Sequence, residues 1–134
     1  VTAIAQRYGF TSSEELRTLT GMASGNAVEN WTSTRDCGSF LSQVYAGTLV
    51  SKNASERMMQ LLLGQTRRTK IPAGVPSGVK VANKTGELAA VQNDVAIVSG
   101  THPYVLAVMS NDISSAVAPS QITELSRAVW DAAQ

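Results

Sequence analysis

Apolar residues recur at helical spacing through the front half of the chain and at strand spacing through the back half. The clearest stripe is Cys37, Phe40, Leu41, Val44 and Tyr45, at i, i+3, i+4, i+7 and i+8 of one amphipathic helix. Ser33 or Thr32 is placed to cap its first turn, and Gly47 ends it. Asn53 with Glu56 starts the next helix, which buries some of Met58, Met59, Leu61, Leu62 and Leu63 before Gly64 stops it. Upstream, a short helix is expected over residues 2–8, up to Gly9. Ser12 with Glu15 offers a capping box for a helical turn through Leu19. Residues 21–30, rich in Gly, Ser and Asn, read as loop.

Residues 65–78 are basic and then punctuated by Pro72, Gly74, Pro76 and Gly78, so they form a connection. Strands are expected over residues 79–85, 90–98 and 104–109. Their short, glycine-containing connections favour an antiparallel meander, because a parallel crossover needs a dozen or more residues. Pro119 opens a closing helix whose Ile122, Leu125, Val129 and Ala132 form an apolar stripe. Helices, a three-stranded antiparallel sheet and a C-terminal helix make an α+β arrangement.

Composition narrows the functions available. The chain has 134 residues, 43% of them apolar and 16% charged, with a net charge of +1. Nothing in that balance draws it toward nucleic acid or an anionic membrane, and no apolar run is long enough to span a bilayer. Cys37 is the single cysteine and His102 the single histidine, so no intrachain disulfide, metal site or cofactor site is expected. The first residues enter a helical pattern with no Met and no charged leader, which suggests a segment of a longer polypeptide.

Lys84-Thr85-Gly86 is the triplet that carries chemistry. It falls at the end of a predicted strand, where alternation points Lys84 and Gly86 to one face and Thr85 to the other. Lys84 can bind a carboxylate or an oxyanion, Thr85 can donate a hydrogen bond beside it, and Gly86 lets a ligand or backbone approach closely. The triplet alone is weak, since a given tripeptide appears by chance in roughly one chain in thirty of this length. Its surroundings strengthen it.

From Asn30 to Asp94 the chain resembles class A β-lactamases and their penicillin-binding relatives. Asn30-Trp31-Thr32-Ser33-Thr34-Arg35-Asp36 is similar to the exit of that family's omega loop, and residues 45–51 to the helix end that follows. Residues 71–78 resemble the approach to the active-site strand, Val81-Ala82-Asn83-Lys84-Thr85-Gly86-Glu87 the strand itself, and residues 93–98 its neighbour. The pieces keep the family's order and come near its spacing, and weaker similarity reaches both ends. Residues 1–134 then correspond to the C-terminal portion of one β-lactamase/transpeptidase-like domain. Residues 1–64 would be a helical part with an omega-loop-like segment, and residues 79–134 the strands and closing helix.

The resemblance implies acyl transfer by a serine of an S-x-x-K motif on a β-lactam or a D-alanyl cell-wall peptide, outside the cytoplasm. Carried over, Lys84 would supply positive charge to the substrate carboxylate and to proton transfer. Thr85 would hydrogen-bond that carboxylate, Gly86 would line the substrate site, and the backbone N–H of Glu87 would be an oxyanion donor. The sequence departs from the family in three places. No nucleophile is present: Ser77-Gly78-Val79-Lys80 matches S-x-x-K only by letters, because Pro76 and Gly78 exclude the required helix. Ser24-Gly25-Asn26 likewise mimics S-x-N at the wrong distance from Lys84. Between Leu16 and Val28 there is no carboxylate to activate a deacylating water; Glu14 and Glu15 come too early and Glu29 too late. Finally, Gln92 stands where many relatives place a substrate-gripping arginine.

Only three of the family's five strands are expected, which would leave an open edge and an exposed apolar face. The missing segment of the same domain, or self-association, would cover them. A non-catalytic module of the same fold, binding peptidoglycan or a protein, is the rival to the enzyme. Elsewhere simple readings suffice. Cys37 is a small hydrophobe on its helix, Met58 and Met59 are core, and Arg67, Arg68 and Lys70 are a solvated loop cluster. Asp94 hydrogen-bonds within the sheet without a catalytic role.

Overall fold

The computed structural model describes residues 1–18 and 29–134. Among the described residues, four helices and three strands follow in the order α1 (Thr2–Arg7), α2 (Thr34–Ala46), α3 (Lys52–Leu63), β1 (Val81–Leu88), β2 (Val91–Val98), β3 (Tyr104–Val108) and α4 (Ala118–Ala133). A 3₁₀ turn, Ile71–Gly74, precedes β1.

Helix α2 begins where the side chain of Ser33 accepts the Asp36 N–H, and it ends at Gly47 with φ 72°, a conformation that favours glycine. Helix α3 is capped by Ser51, whose hydroxyl accepts the Ala54 N–H at 3.1 Å, and not by Asn53. Asn53 already lies inside the helix. The expected helical turn after Ser12 does not form among the described residues. Asp36 takes its donors: the Ser12 N–H and the Ser13 hydroxyl both reach Asp36 Oδ2 at 2.8 Å. The backbone of Glu14 pairs instead with Trp31 in an isolated antiparallel bridge. Leu19, most of the expected loop and Ser24-Gly25-Asn26 lie outside the described residues.

The sheet is an antiparallel meander in the order β1-β2-β3, with Val81 opposite Val98 and Asp94 opposite Val108. Strand β1 runs further than its sequence pattern suggests. Gly86 lies inside it, opposite Asn93, and the turn to β2 is made by Ala89 and Ala90 without a glycine. Each face of the sheet has its own core. Ala82 and Ile97 pack with Leu41, Val44, Leu49 and Phe10 under α2 and α3. Val81, Ala96 and Val98 pack with Ile71 and Ile122 under the 3₁₀ turn and α4.

The buried stripe of α4 is rotated from the expected one. It runs through Ala118, Ile122 and Ser126 to the half-buried Trp130, while Leu125 and Ala132 are exposed. The 3₁₀ turn sets this rotation. The Ser126 hydroxyl donates to the Ile71 carbonyl at 2.9 Å, and a Cβ added at Gly74 would lie 2.4 Å from the Thr123 carbonyl oxygen. Only small residues fit at that crossing. Tyr45 is likewise more than half exposed, off the buried face that α2 makes with Leu41 and Val44.

Candidate active site on strand β1

The hydrogen-bond register decides what β1 offers on its open side. The Ser99 N–H donates to the Lys80 carbonyl at 2.9 Å, just outside the paired strands. In an antiparallel ladder, bonded and non-bonded pairs alternate. Ala82, Lys84, Gly86 and Leu88 therefore direct their backbone groups to β2, whereas Val81, Asn83, Thr85 and Glu87 direct theirs to the open edge. Two contacts agree. Arg68 donates to the Val81 carbonyl at 3.3 Å, and Lys84 Nζ to the Thr85 carbonyl. The N–H of Glu87 thus lies on the same open edge as the backbone of Thr85.

The side chains divide in the other direction. Lys84 shares the Ala82 and Val95 face and lines an open groove of about 730 Å³ beside Ile4, Tyr8, Phe40 and Met58. It is exposed, and no ion pair with a carboxylate engages it among the described residues. Cys37 also lines that groove. Asn83, Thr85 and Glu87 belong to the opposite face, with Asp94 and Lys70.

That second face is where the solvated-loop reading fails for Lys70, while Arg67 and Arg68 stay exposed as expected. Lys70 is 1% exposed. Its Nζ donates to Glu87 Oε1 at 3.0 Å and to the Asn93 carbonyl at 3.2 Å. Arg67, two-thirds exposed, holds the other oxygen, Glu87 Oε2, at 2.6 Å. The hydrogen bond from Lys70 leads the effects that hold the Glu87 carboxyl below the ordinary glutamate range. Partial desolvation opposes it, and the charges of Lys70, Arg67 and Lys84 add to it. The one signal in the sequence was that Lys70, unlike the arginines, directly precedes the apolar Ile71-Pro72 pair.

Asp94 is fully buried. Its two oxygens accept the Ile71 N–H and the Asn83 amide, each at 3.0 Å. Burial pushes its carboxyl above the ordinary aspartate range, against those hydrogen bonds and the nearby Lys70. It joins the 3₁₀ turn to both strands.

The departures noted in the sequence have structural counterparts. Ser77 lies in a turn, closed by the Val79 N–H to the Pro76 carbonyl, with Gly78 at φ 94°. No helix lifts Lys80 over it. Gln92 is buried, and its side-chain amide donates to the Leu88 carbonyl at 3.3 Å rather than facing the open edge. Glu29 pairs with Arg17 at 2.6 Å. Among the described residues no three His, Cys, Asp or Glu side chains converge as metal ligands, and no helix is long and apolar enough to cross a membrane.

Comparison with known proteins bears on the fold and the family. No curated protein sequence gives a significant match. Solved structures do. PBP-A shares 26% identity at a TM-score of 0.84, over 97% of this chain and 49% of its own. A β-lactamase from Sphaerobacter thermophilus shares 24% at 0.88, over 98% of this chain and 51% of its own. The TLA-3 extended-spectrum β-lactamase shares 23% at 0.89, over 98% and 53%. A PBP-A variant has been solved as its acyl-enzyme complex with penicillin G. The chain spans about half the length of these structures, so its fold is part of a β-lactamase-type domain. The profile of the β-lactamase enzyme family matches residues 1–133, and the chain belongs to that family.

Proposed function

We propose that residues 1–134 form the C-terminal portion of a serine acyl-transfer domain that acts on β-lactams or D-alanyl cell-wall peptides outside the cytoplasm. A complementing segment of the same domain would supply the nucleophile. One observation carries the reading: β1 brings Lys84, an exposed ammonium with no carboxylate partner among the described residues, to the same strand end as the edge-facing Thr85 and Glu87 backbone. Lys84 would hold substrate charge, Thr85 would donate to the substrate carboxylate, Gly86 would leave room beside the edge, and the Glu87 N–H would face a developing oxyanion. The groove beside Lys84 would seat the complementing segment, because its lining is mostly apolar and it opens beside the proposed site.

Within this class the chain fits a penicillin-binding role better than a fast hydrolase. No carboxylate stands between Leu16 and Val28, and Glu29 is already paired with Arg17. An acyl-ester without a positioned base loses about 10²–10⁴-fold in deacylation. The test is intact mass after a penicillin is mixed with the complete domain and the excess removed. An adduct that persists for many minutes fits. Return to the free mass within seconds would place a base in the domain and make it a β-lactamase. A complete domain that never forms an adduct would leave the non-catalytic module of the same fold.

A further inference from the structure

We infer that Lys70 is a positioning residue for this site, holding the Gly86–Glu87 peptide in place from the buried side of the sheet. The inference rests on the acyl-transfer reading. Its starting point is the pair of groups that Lys70 selects. Nζ donates to the carbonyl of Asn93, the residue opposite Gly86, and to the carboxylate of Glu87, the residue after Gly86. The peptide between those anchors carries the Glu87 N–H, the group read as an oxyanion donor. Gly86 contributes no side chain to fix that peptide, so β1 is least constrained where the donor must be most constant.

The other end of Lys70 is firmly fixed. Its carbonyl accepts the Ala73 N–H at 3.0 Å and the Thr123 hydroxyl at 3.2 Å, tying its backbone to the 3₁₀ turn and to α4. The side chain therefore acts as a strut from α4 to the end of β1. Stability does not account for such a residue. Burying an ammonium with one carboxylate is often no better than packing an apolar side chain of the same volume. What the charged strut adds is direction, since its donors fix both a β1 side chain and a β2 carbonyl. Arg67 supports Glu87 from solvent, where its grip is weaker.

Two measurements test this. In the complete domain, Lys70→Met should lower the maximal rate of acylation by a reporter penicillin about ten- to a hundredfold, as expected for a small misplacement of a catalytic group. The half-saturating concentration should change little. Lys70→Arg should recover part of the rate, and Glu87→Gln should lower it in the same sense, which keeps the test open if Lys70→Met folds poorly. In the complete domain, Lys70→Met should also speed hydrogen exchange at the Gly86 and Leu88 amides, with or without activity. Wild-type acylation by both Lys70→Met and Glu87→Gln, beside an impaired Lys84→Ala, would overturn the positioning role and leave the site intact. So would unchanged exchange at Gly86 and Leu88. If Lys84→Ala also acylates normally, the acyl-transfer site itself is misassigned, and the role of Lys70 falls with it.

Discussion

Two lysines flank the same strand end and meet opposite surroundings. Lys84 is exposed at the rim of an apolar groove, and its ammonium reaches only the neighbouring Thr85 carbonyl. Lys70 is buried on the other face and spends its donors on Glu87 and Asn93. An exposed ammonium at a strand edge keeps its charge available to an incoming anion. A buried, paired ammonium has already committed its charge and now fixes geometry. In the proposed function, Lys84 meets the substrate from the groove side, while Lys70 holds the strand end from the buried side, which it shares with the Thr85 side chain.

The largest expected effect falls on the groove side. Lys84→Ala in the complete domain should lower acylation about a hundredfold or more, comparable to losing one preorganised charge or donor. The loss should appear in the acylation rate measured with a fluorescent penicillin, with thermal stability near wild type because Lys84 is exposed. An unchanged rate would end the assignment of β1 as the active strand. Thr85→Ala should cost less, about tenfold, since a hydroxyl hydrogen bond to a carboxylate contributes about 1.5 kcal/mol at the low end of its range. Gln92 is unsuited to compensate, because its amide is turned to Leu88. A Thr85→Ala loss that exceeds that of Lys84→Ala would reverse the roles proposed for the two side chains.

The buried side should answer first in stability. Gly74→Ala places a Cβ against the Thr123 carbonyl and Ser126, at 2.4 and 2.6 Å, where backbone has to move. Overpacking of this kind costs about 1–3 kcal/mol. Chemical denaturation of this chain should show it. A neutral Gly74→Ala would mean that the 3₁₀ turn is not tightly seated on α4, and that the strut built on it is loose.

The groove side was far more legible in the sequence than the buried side, for a physical reason. Helix α2, the β meander and Pro119 at the start of α4 announce themselves by local period and punctuation, and the Lys84 triplet is contiguous. The buried side is made of pairs distant in sequence, Lys70 with Glu87 and Asp94 with the Ile71 N–H, and the groove side hides one such set of its own, Ser12 and Ser13 with Asp36. No periodicity marks such pairs. The same limit explains the misplaced cap of α3. Ser51 and Asn53 are both good N-caps, and the choice follows from the chain entering at Leu49, whose carbonyl is held by the buried Ser55 hydroxyl at 2.9 Å. The rotation of α4 also follows from a partner, the 3₁₀ turn, and not from the helix's own stripe.

The smallest expected effect is a pair of titrations that reads the contrast between the lysines directly. Glu87 is held below its ordinary value of 4.5, chiefly by Lys70, so its folded pKa is depressed. Its contribution to stability is present above about pH 4.5 and is lost as pH falls through the folded value. Asp94 has the opposite sign. Burial raises it above 3.8, so its ionisation opposes folding, and stability is regained as pH falls through the raised value toward 3.8. Lys70 lowers both carboxyls, whereas Lys84 contributes only the last of the effects on Glu87. Lys70→Met should therefore move both titrations upward, followed by carboxyl carbon NMR against pH. Lys84→Ala should move Glu87 slightly and leave Asp94 where it was. If Lys84→Ala moved both carboxyls as far as Lys70→Met, the two ammonium groups would share one electrostatic environment, and the sheet would not separate the roles of the two lysines.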